Sequence, residues 1–229
     1  MRSPLVNVDG YSKELVYSIK ELKNLLDTKD VPLSIRQKIA PIIDKDIPES
    51  LHYITSSTSK MDTLLAGMLK LSRTGQAKLF MEDIDMNEII ADVISNFQLR
   101  LNDAEIKTEI PELPSCRGDR HQINQIFSNL VENAVKYLGP DRKGIIKISG
   151  HKEQHKSVYC VEDNGIGIAP AYQEKIFEIF HQLDPQKAEG EGLGLTIVHK
   201  ILNRLGGSVW MESESGKGSK FYVSLPAKQ

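Results

Sequence analysis

The sequence predicts two parts of different fold class, an α-helical hairpin followed by an α/β domain. Apolar residues recur every three or four positions up to about residue 72, which is the period of packed helices. Beyond residue 75 short β-type runs alternate with helical ones, which is typical of an α/β domain. The length of 229 residues also exceeds the usual domain size of about 150 residues. We place the boundary between residues 74 and 80, so that the two parts cover residues 1–76 and 77–229.

The composition excludes several classes of protein. Hydrophobic residues make up 40% and charged residues 26% of the chain, as in ordinary globular proteins. The formal net charge of -2 gives no general positive field, so we expect neither nucleic acid nor a membrane as a partner. No stretch reaches the roughly 18 apolar residues of a membrane-spanning helix. Cys116 and Cys160 are too few for a disulfide framework, and we therefore expect a cytoplasmic location.

The first part carries two apolar seams that are typical of helices in a bundle. Each seam has a mean spacing of about 3.5 residues and one polar residue in its gap, Ser12 in the first and Thr58 in the second. The first seam comprises Leu5, Val8, Leu15, Ile19, Leu22 and Leu26, and the second comprises Ile47, Leu51, Ile54, Met61, Leu65 and Met68. We expect the two helices to pair.

The segment between these helices predicts an elaborated loop. Pro32 belongs to a turn signal, and Pro41 should interrupt or bend a short helix. Asp46 with Glu49 three residues later, and Pro48 in the first turn, form a capping arrangement that would restart the main helix.

A lone hairpin with one apolar seam cannot shield that seam from water. Two copies that join as a four-helix bundle solve this problem economically, so we predict a homodimer. The alternative is that the apolar stripe docks on the rest of the same chain.

The second part should contain five elements, in which helices and strands are mixed. They are a helix capped by Asp85 that runs to about Phe97, a strand near 106–110, a long amphipathic helix over 119–137, a hairpin of 145–150 with 158–161, and a hairpin of 208–212 with 220–225. Trp210 on the last hairpin is interpreted as a core residue.

Three polar residues share one face of the long amphipathic helix. Asn129, Asn133 and Lys136 stand at positions i, i+4 and i+7, so two amide oxygens and one ammonium group can converge on one ligand. An amide oxygen suits Mg²⁺, which usually shares its shell with phosphates, and the lysine would offset their charge. A solvated polar face is the alternative interpretation.

A second motif, Asp163 followed by Gly165 and Gly167, comes directly after a predicted strand. The two glycines allow a sharp turn and the close approach of a flat ligand. The aspartate can accept a hydrogen bond from an exocyclic amine such as that of adenine. The alternative is a simple Asn-Gly turn.

A third motif places Gly190, Gly192 and Gly194 at the start of a helix that runs to about Leu205. The loop amides and the positive end of this helix can hold phosphate. The spacing is not that of the dinucleotide or P-loop fingerprints. The prediction therefore depends on the occurrence of all three motifs in this order.

In these motifs the sequence resembles the kinase core of sensor histidine kinases, whose ATPase domain is shared with gyrase and the heat-shock-90 chaperones. The family's N box, G1 box, F box, G2 box and final glycine turn are matched, in this order, by residues 129–137, 163–167, 177–180, 190–194 and 216–219. The resemblance implies an α/β sandwich with a mixed sheet and three main helices. It also identifies the hairpin as similar to the family's dimerisation and phosphoacceptor hairpin.

The resemblance further implies ATP and Mg²⁺ as cofactors. Asn133 would bind Mg²⁺, Asn129 and Lys136 the phosphates, Tyr137 the nucleoside and Asp163 the adenine amine. The nucleotide site would comprise Asn129, Asn133, Lys136, Tyr137, Asp163, Gly165, Gly167, Ile168, Phe180, Lys187, Gly190, Gly192, Leu193, Gly194, Leu195 and Thr196, with residues 181–191 as the ATP lid.

Two departures from the family pattern affect these expectations. The family often has an arginine where this chain has Gln182, which leaves Lys187 as the candidate for neutralising the γ-phosphate. At the front, Ser3, Pro4 and Leu5 match only the tail of the phosphoacceptor motif, whose histidine would lie just before Met1. We expect the chain to be cut within that helix, with the sensor and any membrane segment upstream, and to hold no catalytic residue for its own phosphorylation.

The resemblance implies a protein-histidine kinase of a two-component system. The γ-phosphoryl group of ATP would pass to a histidine of the hairpin and then to an aspartate in a response regulator receiver domain. The hydrolysing relatives carry a glutamate where this chain has Asn129, so attack by water should be slow here. Two alternatives stay open: a nucleotide-binding dimer that only scaffolds a partner, and a serine kinase or ATP hydrolase of the same superfamily.

Overall fold

The computed structural model describes residues 3–26, 32–76, 78–139, 142–178 and 192–228. The chain divides into two compact units, Met1–Leu69 and Lys70–Gln229. No helix in the described ranges is both long and apolar enough to cross a membrane.

The first unit is helical, as predicted. Helix α1 spans Ser3–Leu26, α2 spans Leu33–Pro41, a π-helical segment spans Ile42–Asp46, and α3 spans Ile47–Gln76, so that its end lies in the second unit.

The predicted restart of a helix at Asp46 is wrong, because the chain never leaves the helical conformation there. Ile42 and Ile47 both have right-handed helical backbone angles, and the Ile47 N–H donates to the Ile42 carbonyl five residues back. The proline at position 48 explains this geometry. Its ring would collide with the carbonyl of Asp44 in a regular α-helix, and the wider π-helical turn directly before it gives that ring room.

Little of the two predicted seams is buried in the first unit. Leu51 of the second seam and the two polar gap residues, Ser12 and Thr58, are buried, as is Ile43 of the π-helical segment, which belongs to neither seam. Two sets spaced by seven residues remain between 41% and 56% exposed: Val8, Leu15 and Leu22 on α1, and Ile54, Met61 and Met68 on α3.

The second unit is built on a mixed five-stranded sheet, which confirms the predicted α/β class. Its strands are β2 (Lys107–Glu109), β4 (Ile145–Glu153), β5 (Lys156–Asp163), β6 (Ser208–Glu214) and β7 (Gly218–Pro226), in the spatial order β2-β4-β5-β7-β6. The β2–β4 pair is parallel and the other pairs are antiparallel. Both predicted hairpins are present, with longer strands than expected.

Three main helices pack on one face of this sheet. They are α4 (Met86–Asp103), α5 (Arg120–Lys136) and α7 (Gly194–Leu205), with a short α6 (Pro170–Gln173) and a 3-10 turn (Lys175–Phe177) between α5 and α7. The shared core includes Ile90, Phe127 and Ile201 from the helices and Ile148, Tyr159 and Val223 from the strands. Asp85 caps α4 as predicted, by accepting from the Asn87 amide at 2.9 Å, but α4 continues six residues beyond the predicted end.

A second, two-stranded sheet was not predicted. Its strands β1 (Glu82–Ile84) and β3 (Cys116–Gly118) pair antiparallel. Three residues are too few to show a period of two in the sequence.

The other face of the main sheet is open to water and carries Trp210, so its interpretation as a core residue is wrong. Trp210 is 40% exposed and stacks on Tyr222 of the neighbouring strand, with ring centroids 5.3 Å apart. The same open face carries one charged residue from each strand in alternating sign: Glu109, Lys147, Glu162, Lys220 and Glu212.

Candidate functional site

Helix α5 presents its polar side chains to a cleft because its apolar side chains face the core. Asp119 starts the helix by accepting from the Gln122 amide at 3.0 Å, as an N-cap residue does. Ile126, Leu130 and Ala134 are buried. Asn129 and Asn133 fall on a neighbouring face of the same helix and are half-buried.

The loop after β5 is shaped by glycines that cannot be replaced without a collision. A β-carbon at Gly165 would meet the carbonyl oxygen of Tyr137, and one at Gly167 would meet the carbonyl oxygen of Glu214. Gly167 also has a positive φ of 67°, which residues other than glycine rarely adopt. The Ile166 amide donates to the Tyr137 carbonyl at 2.9 Å, so this loop is tied to the end of α5.

The third motif brings the start of α7 next to the same helix. Leu193 is buried in the core, and α7 begins at Gly194. A β-carbon at Gly194 would lie 3.6 Å from the side-chain oxygen of Asn129. The hydroxyl of Thr196 on the first turn lies 3.2 and 3.3 Å from the carbonyl oxygens of Phe177 and Glu178, between which its one hydrogen is shared, and this contact ties α7 to the 3-10 turn.

These three elements line an open cleft whose empty volume, with the open solvent at its mouth included, is about 630 Å³. The predicted site residues that line it are Asn133, Tyr137, Asp163, Gly167, Ile168, Gly192, Gly194 and Leu195. The structure thus brings members of all three sequence motifs to one surface, although they lie up to 62 positions apart in the chain, from Asn133 to Leu195.

The remaining predicted residues have other positions. Asn129, Lys136, Gly165, Leu193 and Thr196 do not line the cleft. The ammonium group of Lys136 lies over the ring of Tyr137, 5.0 Å from its centroid. Phe180, Lys187 and Gly190, together with Gln182 and the rest of the predicted lid, lie outside the described residues.

Three lining residues were missed by the sequence analysis: Ile176, Ser219 and Phe221. Ser219 lies in the predicted final glycine turn, so that motif was a usable signal. Ile176 and Phe221 are ordinary apolar residues in sequence, and only the fold brings them to the cleft.

Asp163 is a buried carboxyl group at the end of β5. Burial raises its pKa from 3.8 to about 6, because a carboxylate loses its hydration there. The backbone amides of Gly165, at 2.8 Å, and of Ser219 donate to the carboxylate and limit this rise in pKa. Near neutral pH the group is therefore mostly ionised and can accept a hydrogen bond from an amine of a ligand.

Asn129 carries a buried donor that lacks a partner. Its side-chain nitrogen Nδ2 has no hydrogen-bond partner among the described residues. A buried, unpaired N–H costs about 1 to 3 kcal/mol, and an anionic acceptor bound nearby would remove that cost. This observation fits the phosphate contact predicted for Asn129, although the Asn129 side chain does not itself line the cleft.

The donor set also fits a divalent cation that arrives with a nucleotide. No group of three or more histidine, cysteine or acidic side chains that could hold a metal is present in the described ranges. Asn133, with one amide oxygen, lines the cleft. Mg²⁺ usually has few protein ligands and completes its shell with phosphates and water, which is the case that one amide oxygen suits.

Comparison with protein families gives a match that covers most of the second part of the chain. Residues 118–229 match the family described as histidine kinase-, DNA gyrase B- and HSP90-like ATPase. The methanogenesis regulatory histidine kinase FilI of Methanothrix harundinacea is 32% identical over 99% of this chain, which spans 23% of that protein. The chain spans between about a quarter and about a half of the length of the curated relatives it matches.

Solved structures that resemble this chain include a histidine kinase catalytic domain and a full-length protein. The catalytic domain of histidine kinase ThkA is 30% identical, covers 64% of this chain with 95% of its own length matched, and superposes with a TM-score of 0.57. Full-length ShkA, solved in complex with AMPPNP, covers 96% of this chain with 45% of its own length matched. Its identity of 23% and TM-score of 0.63 show a common fold.

Proposed function

We propose that the cleft of this chain binds ATP with Mg²⁺. Residues 118–229 match the histidine kinase-, DNA gyrase B- and HSP90-like ATPases, and the similar proteins and structures include histidine kinases. The observation that carries this proposal is the cleft itself, where Asn133, Asp163 and Gly194 meet. Asp163 accepts from the adenine amine at one end. At the other end Asn129, Asn133 and the start of α7 serve the phosphates.

The proposed roles follow from the chemistry of each group. The buried carboxylate of Asp163 selects a ligand with an amine, and Tyr137 and Ile168 provide flat apolar surface for the base. The unpaired Nδ2 of Asn129 donates to a phosphate oxygen. Asn133 supplies an oxygen ligand to Mg²⁺, which when bound neutralises phosphate charge. Lys136, held near Tyr137, offsets the remaining charge, and Phe180, Lys187 and Gly190 complete the site.

The proposed reaction is transfer of the γ-phosphoryl group to a histidine. The bond between the bridging oxygen and the γ-phosphorus breaks, a nitrogen–phosphorus bond forms, ADP leaves, and the imidazole loses a proton. The histidine is then the donor to an aspartate of a response regulator. An amide at position 129 cannot take a proton from water, which favours transfer to a protein over hydrolysis.

We propose the first part of the chain, residues 1–76, as the dimerisation hairpin. The exposed positions Val8, Leu15 and Leu22 on α1 and Ile54, Met61 and Met68 on α3 repeat every seven residues, which is the repeat of helices that pack in a bundle. A second copy of the hairpin would cover both sets in a four-helix bundle. Residues 77–229 are the proposed catalytic domain.

The test of the proposed site is Asn133→Ala, measured by calorimetry with Mg-ATP. We expect ATP affinity to fall at least about tenfold, since a metal ligand is lost, with an unchanged fold by circular dichroism. The matched control is Asn124→Ala on the same helix, whose side chain contacts Ser128 rather than the cleft. Equal ATP affinity in wild type and Asn133→Ala would reject the site.

A second arm tests phosphoryl transfer with labelled ATP. A longer chain that supplies the phosphoacceptor histidine should take up label that acid releases, because a phosphorus–nitrogen bond is acid-labile. Label that resists acid would contradict transfer to histidine, and Asn133→Ala should abolish labelling in the same chain.

A further inference from the structure

The backbone between β5 and α6 forms part of the cleft wall without helix or strand structure of its own. Gly167 and Ile168 of this segment line the cleft. The segment is fixed to the β6–β7 hairpin, since the Ile168 amide donates to the Ser213 hydroxyl at 2.8 Å and the Gly216 amide donates to the Ile166 carbonyl at 2.7 Å. The position of this wall therefore depends on groups that lie behind it.

Gln173 at the end of α6 bridges the segment to the hairpin. Its side-chain nitrogen Nε2 lies 3.0 Å from the Ile168 carbonyl oxygen and 2.9 Å from the Ser213 carbonyl oxygen. A side-chain amide nitrogen has two hydrogens, so it can donate to both carbonyls at once. Gln173 itself does not line the cleft.

Ser213 connects this bridge to the opposite wall. Its hydroxyl accepts from the Ile168 amide, donates to the Gly218 carbonyl at 2.8 Å, and lies 3.0 Å from the hydroxyl of Ser219. One donor and two acceptor positions are all that a hydroxyl offers, and here each has a partner. Ser219 lines the cleft and its backbone amide donates to Asp163.

We propose that Gln173 and Ser213 are positioning residues that fix the base end of the nucleotide cleft by holding Ile168 and Ser219 in place. Neither residue touches the ligand. Both act through the backbone of Ile168 in the cleft wall. Ser213 also acts through Ser219, whose backbone amide donates to Asp163. This inference rests on the proposed function, because it assigns the base of a nucleotide to this end of the cleft.

The inference predicts a specific pattern of affinity loss. When the bridge is removed, the wall must be ordered each time a ligand binds, which lowers affinity. The loss should be the same factor for adenosine, ADP and ATP, because all three share the base. Asn133→Ala, at the phosphate end, should instead weaken ATP and leave adenosine affinity unchanged.

The experiment compares Gln173→Glu, Gln173→Met and Ser213→Ala with wild type. Calorimetry gives the affinities for ADP and ATP with Mg²⁺, and competition gives that for adenosine, all well below the melting temperature. We expect Gln173→Glu, which sets a carboxylate against two carbonyl oxygens, to weaken all three ligands about tenfold. Gln173→Met and Ser213→Ala remove donors without adding charge and should weaken them about threefold to tenfold.

The matched control is Gln98→Glu, the same chemical change on the exposed face of α4, where Gln98 contacts Asn102. It should bind all three ligands as wild type does.

Two results would overturn the inference alone: wild-type affinities in the Gln173 and Ser213 variants, or a lower melting temperature with unchanged affinities, which would indicate a merely structural role. If Gln173→Glu does not fold, Gln173→Met and Ser213→Ala decide the question. A wild-type chain that binds none of the three ligands would instead reject the proposed function, and this inference with it.

Discussion

Asp163 shows at the level of one residue how a binding group lowers the stability of the free protein. Its carboxyl is buried with a pKa of about 6, compared with 3.8 for the exposed group. Between these two pH values the folded state binds more protons than the unfolded state, so the free energy of unfolding decreases as pH rises from about 4 to about 7. The ionised form that suits an amine is therefore the form that the fold accommodates least well.

Asp163→Asn should for this reason stabilise the unliganded protein above pH 7. The variant removes the cost of burying a charge, which is about 2 to 3 kcal/mol for this difference in pKa. The gain should shrink below pH 6 and vanish near pH 4. Chemical denaturation over pH 4 to 8 measures it, with Asp103→Asn, on an exposed residue of α4, as the control. A gain that does not vary with pH would contradict the assigned cause.

The site residues that sequence reasoning identified are those whose type is unusual for their position. Asn133 on an amphipathic helix and Asp163 at the end of an apolar strand both line the cleft. Ile176 and Phe221 also line it, but their types are those of any core residue, so no local pattern distinguishes them. Gln173 and Ser213 act through backbone atoms, and backbone partners cannot be read from side-chain types.

At the scale of elements, long periodic segments were predictable and short ones were not. Helix α5 and both hairpins of the main sheet follow clear apolar periods and lie where predicted. The three-residue strands β1 and β3 depend on their mutual pairing. The π-helical segment before Pro48 arises from a collision between a ring and a carbonyl, which turn and cap signals do not describe.

The exposed heptad positions of α1 and α3 carry a prediction about assembly. Met61→Glu places a charge where the proposed bundle buries an apolar side chain, and an unpaired buried charge costs several kcal/mol. We expect the dimer to dissociate at concentrations at least about a hundredfold higher than in wild type, as measured by light scattering after size exclusion.

Tyr53→Glu serves as its control, since Tyr53 lies on the same helix, is 62% exposed and is outside the heptad set. This variant should remain dimeric. A wild-type chain that is monomeric at all concentrations would contradict the proposed bundle.

For the whole molecule, the two compact units should respond to different variables. The proposed binding of ATP should stabilise the second unit by about 2.7 kcal/mol at 100 times the dissociation constant, and should raise its melting temperature by roughly 5 to 10 °C. The melting temperature of the first unit should instead rise with protein concentration, because its proposed partner is a second copy. Scanning calorimetry at two protein concentrations, with and without Mg-ATP, separates these effects. A single transition that moves with both variables would show that the units unfold together.

The open face of the main sheet offers an optical probe for such measurements. Trp210 is the one tryptophan in the sequence, and it lies in β6 on the face opposite Phe221 and the cleft. Its emission should shift to the red when the β6–β7 hairpin separates and its indole enters bulk solvent. Melting of the helical hairpin alone should leave the emission spectrum almost unchanged. Iodide should quench the Trp210 emission equally before and after nucleotide is added.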